Sequence, residues 1–370
     1  MSLQVILNKT CYSSPLDEIS CSNDDANVFE KLDSFIKKHQ GEHIVCFISY
    51  ELKNHIENLE SSNIDNIDFP LLYCFVPGVV KTNYEIKDKI KDKSDSLKFQ
   101  ARESKQTYIK KVEQIKNHIQ LGNFYETNYC YEWWTECVNF NSENVYKKLI
   151  SYTNPPYSFY ADLENHQILC ASPELFIQKR GDKLISKPIK GTQKRSSNKL
   201  EDKNLISDLE NNPKEKAENV MIVDLVRNDF SKISNPESVK VEELCKVYTF
   251  KNIHQMISTI SCTIKNSTKF SSILKATFPM GSMTGAPKVQ VLKIMEKLEN
   301  TKRGLYSGSV GIIHPNGDFD FNVIIRTLLY NKRNKILSFH VGGAITSNSI
   351  PEKEYEETLL KAEALFNACK

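Results

Sequence analysis

Two stretches decide how this chain reads: LCASPELFIQK (169–179) followed by LISKPIKG (184–191), and LYSGSVGII (305–313) followed by DFDFNVIIRTLLY (318–330). In each pair, two runs rich in apolar, aromatic and β-branched residues flank a short turn, Arg180-Gly181-Asp182-Lys183 in the first and Pro315-Asn316-Gly317 in the second. Runs of this kind join as hairpins, so long antiparallel strands are expected. Outward from them the periodicity turns helical. YIKKVEQIKNHIQLG places Ile109, Val112, Ile115 and Ile119 at helical spacing and stops at Gly122. Further helices are expected around 196–228, 287–299 and 351–368. Strands and helices mix without a regular βαβ rhythm, which predicts an α+β fold.

With 370 residues the chain exceeds what one core usually serves, so one large or two coupled domains are expected. The character changes near 105, giving a short N-terminal region (1–104) packing on a larger unit (105–370), with the Lys/Asp/Ser-rich stretch from Lys81 to Lys105 as linker or exposed helix. The longest apolar stretches, such as Leu71 to Val80, fall far short of the roughly 18–20 residues of a membrane span, and the opening MSLQVILNKT has no secretory core. A membrane or exported protein is therefore not expected. Forty-nine basic against 46 acidic residues leave a net charge of +3, interspersed along the chain, so nucleic acid is not implied. Ten dispersed cysteines with no C-x-x-C pair read as reduced packing residues of a cytoplasmic protein.

Five segments carry chemistry. In AENVMIVDLVRND (217–229), a helix would put Glu218 on the face of Ile222 and Leu225, directing its carboxylate inward, where it needs a partner. That partner is either an Arg or backbone donor, or Mg²⁺ held by one or two carboxylates and substrate oxygens. A second carboxylate has a source in IPEKEYEETLLKAEALF (350–366), whose Glu352, Glu354, Glu356 and Glu357 crowd the first turns, although complementing the helix dipole also explains them. FPMGSMTGAPKVQVLKIMEKLE (278–299) opens a helix start beside Thr284 and Lys288, an anion-binding geometry or an ordinary cap; its spacing fails the P-loop pattern. Arg326, read on the same strand face as Asp320, suits capture of a carboxylate or a salt bridge to Asp320. Lys190, between Ile189 and Gly191, points either to solvent or into a cleft, where burial would lower its pKa and make it a nucleophile.

Taken in order, SPELFI, PIKGT, AENVMIVDLVRND, HQMIST, GSMTGAPK, YSGSVG, IIRTL, VGGAITSNS and EYEETLLKA resemble the signatures of the chorismate-utilising enzymes over about residues 105–368. The resemblance implies an α+β fold built around two large antiparallel sheets flanked by helices, a Mg²⁺-dependent site and chorismate as substrate. It implies Glu218 and Glu357 as metal carboxylates. It also implies Arg326, Tyr306 and the backbone at Gly342 and Gly343 around the substrate carboxylates, with His254 and Thr284 lining the ring.

Lysine at position 190 resembles the aminodeoxychorismate synthase component I members, in which the amine adds to ring carbon 2 as the 4-hydroxyl leaves and ammonia then enters at carbon 4. Glu174 matches the acid/base for that hydroxyl. The implied product is 4-amino-4-deoxychorismate, on the way to 4-aminobenzoate and folate. An anthranilate synthase component I and an inactive scaffold subunit of the same fold are the alternatives. Isochorismate- and salicylate-forming members need a lysine in the segment matching GNFYETN, where this chain has Glu126 and the aminating members commonly have glutamine. NPPYSFY (154–160) echoes part of a tryptophan site, but no convincing counterpart of the rest is found in the short N-terminal region, so tryptophan inhibition is not expected. No glutaminase unit is recognised in the chain, so a separate glutamine amidotransferase subunit, or free ammonia, is the expected nitrogen source.

Overall fold

The computed structural model describes residues 3–86, 97–251 and 253–370. The N-terminal third forms β1 (Gln4–Leu7), β2 (Thr10–Cys21), α1 (Val28–Lys38), β3 (Ile44–Ile48), α2 (Lys53–Glu57), β4 (Leu72–Lys81), β5 (Gln100–Ala101) and α3 (Lys105–Gln120). The middle forms β6 (Glu126–Glu136), α4 (Ser142–Thr153), β7 (Tyr157–Asp162), β8 (His166–Ser172), β9 (Leu175–Arg180), β10 (Lys183–Lys187), β11 (Ile189–Lys194), α5 (Lys199–Asn211), α6 (Pro213–Ser231) and β12 (Lys240–Thr249). The remainder forms β13 (Ile253–Thr263), α7 (Phe270–Thr277), β14 (Gly285–Ala286), α8 (Lys288–Leu298), β15 (Ser309–Ile313), β16 (Phe319–Val323), β17 (Thr327–Asn331), β18 (Ile336–Ile345) and α9 (Pro351–Ala368).

Every pairing between these strands is antiparallel. One ladder runs β6–β18–β17–β8–β7–β1, continues through β1–β2, and goes on as β2–β4–β3–β15–β16–β9–β10–β13–β12. The two large sheets that were expected are two layers of this ladder. Between them lies a core drawing Val5, Phe159 and Ile168 from the first layer and Phe47, Phe75 and Val310 from the second. Each such side chain contributes about 1.5–3 kcal/mol when fully buried. Helices α3, α4, α8 and α9 cover the outer face of the first layer, and α1, α6 and α7 that of the second. Residues before 105 sit mid-ladder, β1 on β7 and β3 on β15. The expected linker from 81 to 105 falls partly on 87–96, outside the described residues.

Both hairpins form, but each long run expected as one strand is two. LCASPELFIQK ends β8 at Ser172 in the first layer and restarts as β9 at Leu175 in the second. DFDFNVIIRTLLY does the reverse, leaving the second layer after Val323 and entering the first at Thr327. The two crossings are tied together: Val323 N donates to Glu174 O (3.1 Å) and Ala171 N to Arg326 O (3.1 Å). Arg326 takes φ of +52° at its corner, a left-handed conformation costing a non-glycine residue about 1–2 kcal/mol. Val323, Ile324 and Ile325 run apolar into the second corner, so period-2 alternation does not mark it, while the first corner carries Pro173. LISKPIKG likewise breaks into β10 and β11 at Pro188, with a shift of register between Ile185 and Lys187.

The helix expected over 196–228 is also two. The Asn212 side chain ends one and caps the next, accepting from Lys214 N (3.0 Å) and Glu215 N (3.2 Å), and Pro213 at the first position of α6 cannot continue α5. Helices α1, α4 and α7 were not anticipated. All ten cysteines are free and nine are buried, as their packing role requires. No helix among the described residues is long and apolar enough to cross a membrane.

Candidate active site

A cavity of 480 Å³ opens where the two corners meet helices α6 and α9. Its wall takes Glu174 and Arg326 from the corners, Lys190 from β11, Glu218 from α6, Tyr306 from the turn before β15, and Gly342 and Glu357 from β18 and α9. Seven of the residues singled out in the sequence, far apart along the chain, therefore share one space.

Burial dominates the electrostatics. It pushes the Glu174 carboxyl up to about 7, against the opposing pull of the Ser282 hydroxyl, Lys190, the Ile189 amide and Arg326. A carboxyl held there exchanges protons readily near neutrality. Glu218 is likewise pushed up to about 7 by burial, with Lys190 opposing and Glu126 reinforcing. Burial also pulls the Arg326 guanidinium below its usual range, with Glu174 opposing. Arg326 forms no ion pair among the described residues, because Asp320 is taken by Arg180 (2.7 Å) and His314 (3.0 Å). The salt-bridge alternative for Arg326 is therefore not realised, and its donors are left for a ligand.

Lys190 corrects the simplest expectation. It lies in the cleft, 9% exposed, and burial does pull its pKa down. Glu126, Glu218 and Glu174 together outweigh burial, so the net direction is upward and the side chain is an ammonium. Its Nζ lies 2.5 Å from Glu126 Oε1.

The residues present fit a hard cation. Glu218 Oε1 and Glu354 Oε2 are buried without a hydrogen-bond partner, and Lys214 Nζ sits between the same carboxylates, 3.7 Å from Glu218 Oε1 and 3.0 Å from Glu354 Oε1. Glu357, half-exposed, is held below the usual carboxylate range by Lys361 at 2.8 Å. Among the described residues no three ligating side chains converge on one point, so a Mg²⁺ ion held here would depend on two carboxylates and on oxygens from outside the chain. Glu354 and Lys214 were not singled out as site residues; the glutamate crowd in 350–366 was the available signal.

Three sequence candidates lie off the cavity wall. His254 is fully buried, its Nε2 against Asp202 Oδ1 (2.9 Å) and Nδ1 against Thr249 Oγ1 (2.9 Å). Its strand neighbour Gln255 faces the cavity, and alternation turns His254 to the other face. The Thr284 hydroxyl donates to Met280 O (3.1 Å). Gly343 is not itself a lining residue, although an added Cβ would stand 3.6 Å from Lys361 Nζ and 3.8 Å from Glu357 Oε1, both on the wall. Gly342 is on the wall and must lack a Cβ, which would meet Tyr129 O at 2.4 Å. Lys288, beside the helix start that reads as either an anion site or an ordinary cap, is buried against Asp229 (2.6 Å). His340, not anticipated, lines the cavity with its ring stacked on Tyr306 at 5.2 Å.

The cavity wall gathers an acid near neutrality, a buried ammonium and a guanidinium without an ion pair among the described residues, groups suited to binding and protonating a small carboxylate-bearing molecule. The chain belongs to the chorismate binding enzyme family, whose model matches residues 79–367. It is 30% identical over 360 residues to aminodeoxychorismate synthase component 1 of Bacillus subtilis, covering 88% of this chain and 76% of that protein. It is 38% identical over 229 residues to anthranilate synthase component 1 of Aquifex aeolicus, covering 62% of this chain but only 46% of that protein, so it spans less than half of that relative's length. In fold it resembles anthranilate synthase component I from Streptococcus pneumoniae, with a TM-score of 0.84 and 24% identity over 99% of this chain and 92% of that one.

Proposed function

We propose that this chain is a component I of aminodeoxychorismate synthase, converting chorismate and ammonia to 4-amino-4-deoxychorismate for 4-aminobenzoate and folate synthesis. The observation that carries the reading is the Lys190 amine on the wall of the same cavity as Glu174, Arg326 and Tyr306. Arg326, its donors free, binds and orients a substrate carboxylate. Mg²⁺ held by Glu218 and Glu357 would neutralise further substrate carboxylate charge. Lys190 Nζ bonds to ring carbon 2; the C1=C2 pair moves to C1–C6, the C5=C6 pair to C4–C5, and the C4–O bond breaks. Glu174 donates its proton so that the hydroxyl leaves as water. Ammonia then attacks carbon 4, the pairs return, the C2–N bond breaks, and Glu174 recovers a proton from the new ammonium group.

Ammonia comes from a separate glutamine amidotransferase subunit or from solution. Glutamine-dependent turnover only in a mixture with such a glutaminase supports the partner; full glutamine-dependent activity of the isolated chain refutes it. The reaction is tested with chorismate, Mg²⁺ and ammonium, reading the product by mass spectrometry. Lys190→Ala is expected to lower turnover at least about 10²-fold while chorismate binding is largely kept; unchanged turnover removes the nucleophile. Identity to the Aquifex protein favours anthranilate synthesis as a second reading, and a fluorescent product formed with release of pyruvate would establish it.

A further inference from the structure

Glu126 is the first residue of β6, and its backbone is pinned. β14 pairs with it through Ala286, and the neighbouring Gly285 admits no side chain, since a Cβ would lie 2.0 Å from Glu126 O. The carboxylate so placed is 1% exposed, with Oε1 against Lys190 Nζ and Oε2 buried without a hydrogen-bond partner. Lys190 is thus the donor that balances this charge. Lys190 shares the cavity wall with Glu218, Glu215 and Lys214 from α6, Glu174 and Arg326 from the corners, and Glu357 and Lys361 from α9. Two opposite charges buried together are removed at once if the proton moves from nitrogen to oxygen, with no net charge transferred.

We propose that Glu126 is the base that takes the proton from Lys190 for attack and returns it when the lysine leaves. This rests on the function proposed above. The ammonium and carboxylate become amine and carboxylic acid; the freed nitrogen lone pair forms the bond to ring carbon 2. When that C–N bond breaks, its pair returns to Nζ, which recovers the proton from Glu126. Glu174 serves only the departing hydroxyl and the incoming ammonia, so each carboxyl ends the cycle as it began. The high resting pKa of Lys190 is then no obstacle, because the proton travels one hydrogen bond and never reaches solvent.

The test is Glu126→Gln, nearly isosteric but unable to accept the proton. With Mg²⁺, chorismate and a fixed concentration of free ammonia, kcat/KM for chorismate is measured from about pH 6.5 to 9. The wild-type profile is expected to fall above about pH 7 as Glu174 loses the proton it must donate. In the ratio of variant to wild type that fall cancels, and Glu126→Gln, dependent on solvent to deprotonate Lys190, is expected to stand about 10²-fold down at neutrality with a ratio that rises about tenfold per pH unit. Glu126→Asp retains a carboxylate and is expected to keep a lowered but pH-independent ratio. Unaltered activity in Glu126→Gln, a ratio reduced by the same factor at every pH, or a rising ratio in the aspartate variant overturns the inference. Failure of the wild type to form aminodeoxychorismate overturns the proposed function instead, and Lys190→Ala tells the two apart, since its inactivity beside an active Glu126→Gln removes only the proton role.

Discussion

His340 gives the most quantitative expectation. It is buried on β18, stacked on Tyr306, with Nε2 3.3 Å from Thr301 Oγ1 and Nδ1 without a partner. Burial first, then the Arg303 and Arg102 charges, hold its pKa at about 3 against an ordinary 6.5. The native chain therefore keeps it neutral while the unfolded chain protonates it below about 6.5, so stability is lost as pH falls from 6.5 toward 3. The slope approaches about 1.4 kcal/mol per pH unit below 6.5 and integrates to about 2.3 kcal/mol between pH 6.5 and 4.5. Glu51, Glu174 and Glu218, each raised to about 7 by burial, act in the opposite sense, their contribution being lost as pH rises through that value. His340→Phe keeps the stacking and removes the titration. Urea unfolding of both proteins at the two pH values isolates the His340 contribution, since the shared carboxyl effects cancel in the difference. The stability gap between wild type and variant is expected to move by about 2.3 kcal/mol in the variant's favour at the lower pH. A gap independent of pH refutes the reasoning.

Other expectations follow from single contacts. Glu218→Gln removes a buried carboxylate oxygen that has no hydrogen-bond partner, so the metal-free variant should melt higher than wild type, and the Mg²⁺-dependent rise in melting temperature expected of the wild type should vanish; an equal Mg²⁺ shift in both would clear Glu218 as a ligand. Gly342→Ala sets a Cβ 2.4 Å from Tyr129 O across the β6–β18 ladder and is expected to cost about 1–3 kcal/mol or more in denaturant unfolding; neutrality would mean that the strands separate easily. Asn212→Ala deprives Lys214 N and Glu215 N of their acceptor and should cost about 1 kcal/mol, measured the same way.

Local signals were read well. Hairpin turns, the amphipathic face ending at Gly122 and the proline-led C-terminal helix all reside in a few adjacent residues, and the structure has them where the periodicity put them. The corners at Glu174 and Arg326 were not legible, because each is defined by an exchange of strand partners between the layers, which only long-range pairing shows. For the site, motif resemblance located Glu174, Lys190, Glu218, Tyr306, Arg326, Gly342 and Glu357 on one wall. It did not locate His254, whose strand phase turns it toward Asp202. Nor did it foresee the charge state of Lys190, which depends on Glu126, a residue 64 positions away in sequence.

The reciprocal backbone bonds between the corners have a mechanical consequence. Glu174 O and Arg326 O each accept from the strand on which the other residue sits, so acid and guanidinium travel as one rivet through both layers. A movement of α6 and α9, which bring the carboxylates to the opposite wall, would leave both of these bonds intact.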